Sequence, residues 1–235
     1  MGNSINKWDQ ICGLNHCKRG LEVAVAGKHN LLFIGPPGSG KTLLSDVYSE
    51  MMENFESSPS FLGHITSDTT GCFASGEPPI GNYVAESLPC PCGYYGEPQH
   101  QCLCETDETF KTHIKQINRF EGWFDITLEV TSIRWNDLFD FRNHINEPLN
   151  TVLKRITTVR KIQDERGLVS IPELLKMLDD EGDRPLETYI FKLGASAQKA
   201  FSALKVARTI ADLDNSKLIK PIHLSEAIQY RWAIP

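Results

Sequence analysis

The sequence contains no apolar stretch close to the roughly 20 residues that a membrane-spanning helix needs. Its first residues, MGNSINKWDQIC, lack the apolar segment of a secretory signal peptide. Positive charge is not in excess, because 30 Asp and Glu outnumber 24 Lys and Arg and give a formal net charge of -6. We therefore expect neither a membrane protein, nor a secreted protein, nor a nucleic-acid binder held by bulk charge.

Seven cysteines are present, yet none forms a C-x-x-C pair, which argues against a redox function. An odd cysteine count in a chain without an export signal favours the reducing cytoplasm. Cys12, Cys17 and Cys72 are isolated, and we expect them to behave as small buried hydrophobic residues.

A glycine-rich loop follows a short apolar run. Leu31 to Ile34 is typical of a buried parallel strand, and a helical pattern runs from Lys41 to Asn54. The segment between them fits G-x-x-x-x-G-K-[ST] in full, which predicts a site for ATP and Mg²⁺. Lys41 would reach the β- and γ-phosphates, and the Thr42 hydroxyl would bind Mg²⁺. The predicted nucleotide-binding residues are Gly35, Pro36, Pro37, Gly38, Ser39, Gly40, Lys41 and Thr42.

Hydrolysis of a bound nucleotide requires an acidic group at the end of a second strand. No apolar run in this sequence ends in Asp-Glu. Asp68 follows a weak apolar run and Asp125 begins its predicted strand, so we interpret both as surface carboxylates. If a carboxylate does serve Mg²⁺, the nearby candidates are Asp68 and Glu86.

Four cysteines lie together in a loop, residues 88–105, that is rich in glycine and proline. They form two C-x-C pairs, and a hairpin that joined the pairs could close a tetrahedral zinc site. His100 is an alternative ligand, and free thiols in a cytoplasmic loop are an alternative interpretation. The candidate zinc ligands are Cys90, Cys92, Cys102 and Cys104.

The pattern changes from α/β to helical at about residue 140. Strands are predicted at Asn82 to Ser87 and Phe124 to Val130, with loops over residues 55–80. We predict an α/β core with a parallel sheet over residues 1–140 and a helical domain over residues 141–235. The predicted helices of the second part are Ile145 to Gly167, Ile171 to Leu178, an apolar repeat from Ala197 to Ala211, and a last helix from Pro221.

Several segments resemble one family. The segment LEVAVAGKHNLLFIGPPG, residues 21–38, resembles the entry to the AAA+ module of magnesium-chelatase subunit I-like proteins. CPCGY at 90–94, VARTIADL at 206–213 and AIQYR at 227–231 are similar to the competence protein ComM (YifB-like) branch, and VRKIQDER at 159–166 is similar to a further family segment. The resemblance implies a ring-forming ATPase with a three-layer P-loop core and a helical lid. One branch is associated with DNA branch migration and the other with magnesium insertion into porphyrin; the Cys-rich loop favours the first.

The sequence also departs from the family. The interval between Thr42 and Leu88 is too short for the family's Walker B strand and insertion, so we expect that region to be missing. Leu88 stands where the family has an Asn that senses the γ-phosphate. Trp123 stands where the family has an Arg that acts on a neighbour's nucleotide, with Arg119 nearby, and Gln198 stands where the lid has Arg. Each such loss can slow hydrolysis by about 10³-fold or more.

The intact nucleotide loop beside these losses predicts an ATP-binding AAA+ protein that is weak or inactive in hydrolysis, in a homo- or hetero-oligomeric ring. One alternative is an active ATPase that acts on DNA, and another is a non-enzymatic, zinc-stapled interaction module.

For the DNA alternative, five cations of one helix could meet a phosphate backbone, or they could be a solvated face paired with Asp164 and Glu165. Arg208 and Asp212 are interpreted as lid structure. The five cations are Lys154, Arg155, Arg160, Lys161 and Arg166.

Overall fold

A four-stranded parallel sheet forms the centre of the protein. The computed structural model describes residues 6–55, 60–65, 77–78, 80–104, 108–133, 135 and 146–231. The strands are β1 (Leu31–Ile34), β2 (Ser60–Ile65), β3 (Tyr83–Ser87) and β4 (Ile126–Glu129). Their order across the sheet is β2-β3-β1-β4, so β1 lies between β3 and β4.

Helices pack on both faces of this sheet and form most of the described part of the chain after residue 148. Two short 3₁₀ helices add to them, at Lys7–Gln10 and Glu121–Trp123. The α-helices are α1 (Asn15–Gly27), α2 (Lys41–Glu53), α3 (Glu108–Arg119), α4 (Leu149–Arg166), α5 (Ile171–Lys176), α6 (Asp183–Phe191), α7 (Ala197–Leu213) and α8 (Pro221–Gln229).

The strand β1 is apolar throughout because both of its faces are buried. Leu31 and Phe33 belong to a core that includes residues of α1, α2, α4 and α7, whereas Leu32 and Ile34 pack on the opposite face with residues from α3 and the segment after it. The three-layer α/β fold with a parallel sheet is thus confirmed.

Local capping signals mark the starts of α5 and α7. Ser170 and Glu173 form a capping box at α5, with Pro172 in the first turn. Ser196 accepts a hydrogen bond from the Lys199 backbone at the start of α7. The apolar repeat of α7 then packs against α1 and α8. The helical C-terminal part is therefore confirmed.

Three elements differ from the sequence prediction. Residues 55–80 were expected to be loop, but β2 pairs in parallel with β3 at the sheet edge, with an irregularity at Gly63. The helices α3 and α6 were also not predicted from the sequence. The β2 strand carries no carboxylate, so the interval after α2 contains a strand without the acidic residues of a Walker B strand.

Two predictions fall outside the described residues, those for Asp68 and Cys72. The division into domains near residue 140 stays a prediction, since residues 136–145 are also outside them. None of the described helices combines the length and apolar character that a bilayer crossing requires.

Candidate functional site

The glycine-rich loop connects β1 to α2 at the carboxyl edge of the sheet. Gly38 and Gly40 have φ angles of +75° and +95°, a region that residues with a Cβ rarely adopt. The buried Lys41 ammonium donates hydrogen bonds to the carbonyl oxygens of Gly35 (2.8 Å) and Pro36 (2.7 Å). The lysine is thus held across the loop, where an anionic phosphate would be a stronger acceptor than either carbonyl.

Both neighbouring strands fix the start of this loop. The Gly35 N–H donates to the Ser87 carbonyl at the end of β3 (3.2 Å). A Cβ at Gly35 would lie 2.1 Å from the carbonyl oxygen of Val130, which follows β4, so no larger residue fits. The loop therefore rests on the sheet at the position that a nucleotide cradle requires.

A single carboxylate reaches the loop from β3. Thr42 Oγ1 donates to Glu86 Oε2 over 3.2 Å, and Glu86 is only 1% exposed. Burial lowers the pKa of Lys41, while the nearby Glu86 carboxylate opposes that change. Among the described residues, Glu86 is thus the acidic candidate that the structure brings to Thr42.

A cleft opens beside the Thr42–Glu86 pair. His64 also borders it, and its Nδ1 lies 3.7 Å from Glu86 Oε2. Sequence reasoning did not single out His64, because only the pairing of β2 with β3 brings it here. The described lining residues are Pro37, Gly38, Gly40, Lys41, Thr42, His64, Ile65, Glu86, Ser87 and Leu88.

Asp125 lies at the opposite, amino-terminal edge of the sheet. It accepts hydrogen bonds from the Ser202 hydroxyl (2.9 Å) and the Asn30 N–H (3.3 Å), and the His29 ring is 3.8 Å away. Asp125 is thus not part of the nucleotide loop, but it is partly buried and bonded rather than the free surface carboxylate that we expected.

Trp123 and Gln198, where the resemblance places the family's arginines, and the nearby Arg119 all make contacts within the fold. Trp123 packs edge-on against Phe120. Arg119 lies over the same Phe120 ring, 5.9 Å from its centroid. Gln198, at the start of α7, donates to the Gly122 carbonyl over 3.3 Å.

The four clustered cysteines converge. Their Sγ atoms all lie within 4.8 Å of one another, and the Sγ–Sγ hydrogen-bond distances range from 3.4 Å (Cys90–Cys92) to 3.8 Å (Cys90–Cys102). A tetrahedral Zn²⁺ with Zn–S bonds of about 2.3 Å would place its sulfurs roughly 3.8 Å apart. All four thiols are free, so the arrangement fits a metal and is too wide for disulfides.

Backbone groups favour a thiolate in this cluster. Burial alone would raise the pKa of Cys92, but the backbone N–H groups of Leu103 and Tyr94 lower it to about 6. Burial raises the pKa of Cys104 to about 12. His100 stacks on Tyr94, with ring centroids 4.7 Å apart, and does not belong to the described ligand cluster. The two C-x-C pairs are therefore the better ligand set.

The basic residues of α4 are largely engaged within the fold. Arg160 is buried, donates to the Val25 carbonyl (3.0 Å) and lies 4.4 Å from the Phe55 ring centroid. Arg155 pairs with Glu22 (2.7 Å) and Glu147. The expected pairing with Asp164 and Glu165 is wrong for Arg155, whose carboxylate partners are Glu22 and Glu147, and the expectation of a solvated side chain is wrong for Arg160.

Asp212 is a buried carboxylate of α7 that links this helix to α4. It accepts hydrogen bonds from Arg166 of α4 (2.6 and 2.7 Å) and from Arg208 of α7 (2.8 Å). Arg208 also donates to the Lys217 carbonyl (2.9 Å). The contacts support the interpretation of Arg208 and Asp212 as structural residues.

Two models of one family match the chain. Residues 7–62 match the model described as magnesium chelatase, subunit ChlI, and residues 146–231 match magnesium chelatase, subunit ChlI C-terminal. The first match contains the glycine-rich loop, and the second contains the Asp212 network.

Individual relatives agree with these matches. The chain is 27% identical over 307 residues to competence protein ComM of Haemophilus influenzae and 26% identical to YifB of Escherichia coli K12. Each comparison covers 94% of this chain and 59% of the relative, so the chain spans about three fifths of the relatives' length. The aligned length exceeds the 235 residues of this chain, so the relatives contain internal segments that this chain lacks.

A solved structure shares the fold. A crystal structure of a candidate ATPase from Cytophaga hutchinsonii superposes with a TM-score of 0.51 at 13% identity, covering 95% of this chain and 82% of that one. The likeness is one of fold and extends over both the sheet and the C-terminal helices.

Proposed function

This chain belongs to the magnesium chelatase subunit ChlI family, and we propose that it is a cytoplasmic protein that binds ATP with Mg²⁺ and hydrolyses it weakly. The observation that carries the proposal is the Lys41 ammonium, which is held over the Gly35 and Pro36 carbonyls at the start of a helix. Lys41 would exchange these carbonyls for phosphate oxygens, and the first turn of α2 would add its N–H groups. Bound Mg²⁺ would neutralise phosphate charge, with Thr42 as its hydroxyl ligand.

Weak turnover follows from what surrounds this cradle. Among the described lining residues, Glu86 is the single carboxylate, and it is already bonded to Thr42. Leu88 lines the cleft where the family has Asn, and its apolar side chain cannot orient water. Trp123 and Gln198 offer no guanidinium for the γ-phosphate. We therefore propose a regulatory subunit of a homo- or hetero-oligomeric ring, in which an active partner supplies turnover.

The test compares nucleotide binding and steady-state hydrolysis in the purified protein and in Lys41→Ala. We expect ATP to bind and Lys41→Ala to weaken binding by about 10- to 100-fold, because a charge-assisted contact is lost. Lys111→Ala, an exposed lysine of α3, is the matched control. Robust turnover that Lys41→Ala abolishes would overturn the weak-hydrolysis proposal. Absence of any nucleotide binding would leave the zinc-stapled interaction module as the function.

The less favoured function is that of an ATPase acting on DNA, which the resemblance to the competence protein ComM branch implies. Three of its five candidate cations, Arg155, Arg160 and Arg166, are engaged by partners within the fold. Only Lys154 and Lys161 would be left to meet phosphates. Salt-sensitive DNA binding that falls in the Lys154→Glu, Lys161→Glu double variant would restore this alternative.

We also propose that Zn²⁺ is the ion of the four-cysteine cluster. The support is the sulfur spacing, which matches a closed tetrahedral site with no position left for a substrate. Such a site is structural, and it would fix the loop that follows β3.

A further inference from the structure

Glu86 is a buried carboxylate beside the nucleotide loop. Its strand, β3, pairs directly with β1, and Glu86 stands opposite Phe33 in the register, one residue before the end of both strands. Because parallel strands end at one edge, the Glu86 side chain meets the first turn of α2. There Thr42 Oγ1 donates to Glu86 Oε2 over 3.2 Å.

The second carboxylate oxygen lacks a partner. Glu86 Oε1 is buried and has no hydrogen-bond partner in the described part of the chain. A buried carboxylate oxygen without a partner is energetically unfavourable. A bound cation or water molecule would supply the missing partner. Within the described lining of the cleft, the cationic or titratable groups near the carboxylate are Lys41 from α2 and His64 from β2. Lys41 is occupied by the loop carbonyls.

We propose that Glu86 is the carboxylate that positions Mg²⁺ for the bound nucleotide, acting beside Thr42. This inference rests on the proposed nucleotide binding. Mg²⁺ prefers oxygen ligands and takes few protein groups, one or two carboxylates in addition to phosphates and water. The hydroxyl of Thr42 and the carboxylate of Glu86 supply that chemistry from adjacent elements. The acidic group thus comes from the strand next to β1, and the neighbouring strand β2 supplies none within its described residues.

This assignment also separates metal binding from turnover. One carboxylate held to Thr42 can orient a metal, but no further carboxylate lines the described cleft to orient an attacking water. We expect Mg²⁺ to strengthen nucleotide binding strongly while hydrolysis remains slow.

Calorimetry measures the affinity for ADP and ATP in the presence of Mg²⁺ and in the presence of EDTA. Electron paramagnetic resonance of Mn²⁺, used in place of Mg²⁺, measures metal binding to the protein with ADP bound. Variants are Glu86→Gln and a matched control, Glu129→Gln, an exposed carboxylate on β4, the strand that flanks β1 on its other side. In EDTA, we expect Glu86→Gln to bind nucleotide as tightly as the unaltered protein does. Its affinity for the metal should be about 10- to 100-fold lower. Glu129→Gln should behave as the unaltered protein does.

Glu86→Asp, which keeps the charge but draws the carboxylate back from Thr42 by one methylene, takes the place of Glu86→Gln if that variant fails to fold, and it should also weaken metal binding. Thr42→Val and Thr42→Ser test the hydroxyl partner. In Thr42→Val, which lacks the hydroxyl, Mg²⁺ should no longer increase the nucleotide affinity. In Thr42→Ser, which keeps a hydroxyl, Mg²⁺ should still increase it. If Mg²⁺ strengthens nucleotide binding in folded Glu86→Gln as much as in the unaltered protein, this inference is overturned and nucleotide binding is left intact. A protein that binds no nucleotide under either condition would instead overturn the proposed function.

Discussion

Gly93 of the cysteine loop lies directly against Pro37 of the nucleotide loop. A Cβ at position 93 would lie 2.7 Å from Pro37 Cδ, so the two loops touch with no space between them. The Gly93 N–H donates to the Cys90 carbonyl over 2.9 Å, which ties this contact to a candidate metal ligand. The loop that carries the cysteine cluster therefore packs against the glycine-rich loop that we propose binds nucleotide.

Gly93→Ala should weaken nucleotide binding. Its Cβ would push Pro37 outward, and alanine at a φ of +84° adds a backbone cost of about 1–2 kcal/mol. Gly96→Ala is the matched control, since Gly96 has a φ of +76° and nothing within 4 Å of its added Cβ. Calorimetric titration with ADP should show a loss of affinity in the first variant alone. Equal affinities in the two variants would show that the loops are not coupled.

The purified protein should contain one Zn²⁺ per chain, and Cys92→Ser should lose it. Removal of a structural metal withdraws its binding free energy from folding, so the melting temperature should fall by several degrees. Metal analysis and thermal unfolding measure both effects. Cys12→Ser, a half-buried cysteine outside the cluster, is the control. A protein free of metal, whose melting temperature Cys92→Ser leaves unchanged, would favour free thiols.

Asp212→Ala should destabilise the fold by about 3–5 kcal/mol, because it leaves the cations of Arg166 and Arg208 without their buried counter-charge. Urea unfolding gives the change in free energy. Asp164→Ala, at an exposed position of α4, should cost little. If Asp212→Ala unfolds like the unaltered protein but loses nucleotide binding, Asp212 would have a chemical role instead.

Stability should fall between about pH 4 and pH 2 through Asp125. Burial raises the pKa of Asp125, but the nearby His29 ring together with hydrogen bonds from the Ser202 hydroxyl and the Asn30 N–H outweighs burial and lowers the pKa to about 2. Because the folded-state pKa is the lower one, this contribution is complete above the unfolded value near 3.8 and is lost as the pH falls towards 2. It amounts to about 2 kcal/mol.

Urea unfolding from pH 5 to pH 2 tests this for Asp125. The unaltered protein should lose about 2 kcal/mol more than Asp125→Asn over that range. Parallel pH profiles for the two proteins would contradict the role of this carboxylate.

Sequence patterns predicted the elements whose signals are local. The apolar run before Gly35 and the helical pattern after Lys41 are β1 and α2, and the two C-x-C pairs do converge. The strand β2 was missed because its glycine, Gly63, interrupts any alternation and because pairing with β3 stabilises it. Likewise, the sequence predicts Arg160 to be a surface cation on a polar helix. In the fold it is buried and donates a hydrogen bond to the Val25 carbonyl.

The sequence by itself determined the glycine-rich loop between β1 and α2, the cysteine pairs and the helical C-terminal part, because each depends on residues close together in the chain. The tertiary structure decided which carboxylate meets Thr42, since strand order places Glu86 beside it and Asp125 at the far edge of the sheet. It also decided that Gly93 supports Pro37. Such contacts join segments distant in sequence, and neither composition nor periodicity encodes which strands become neighbours.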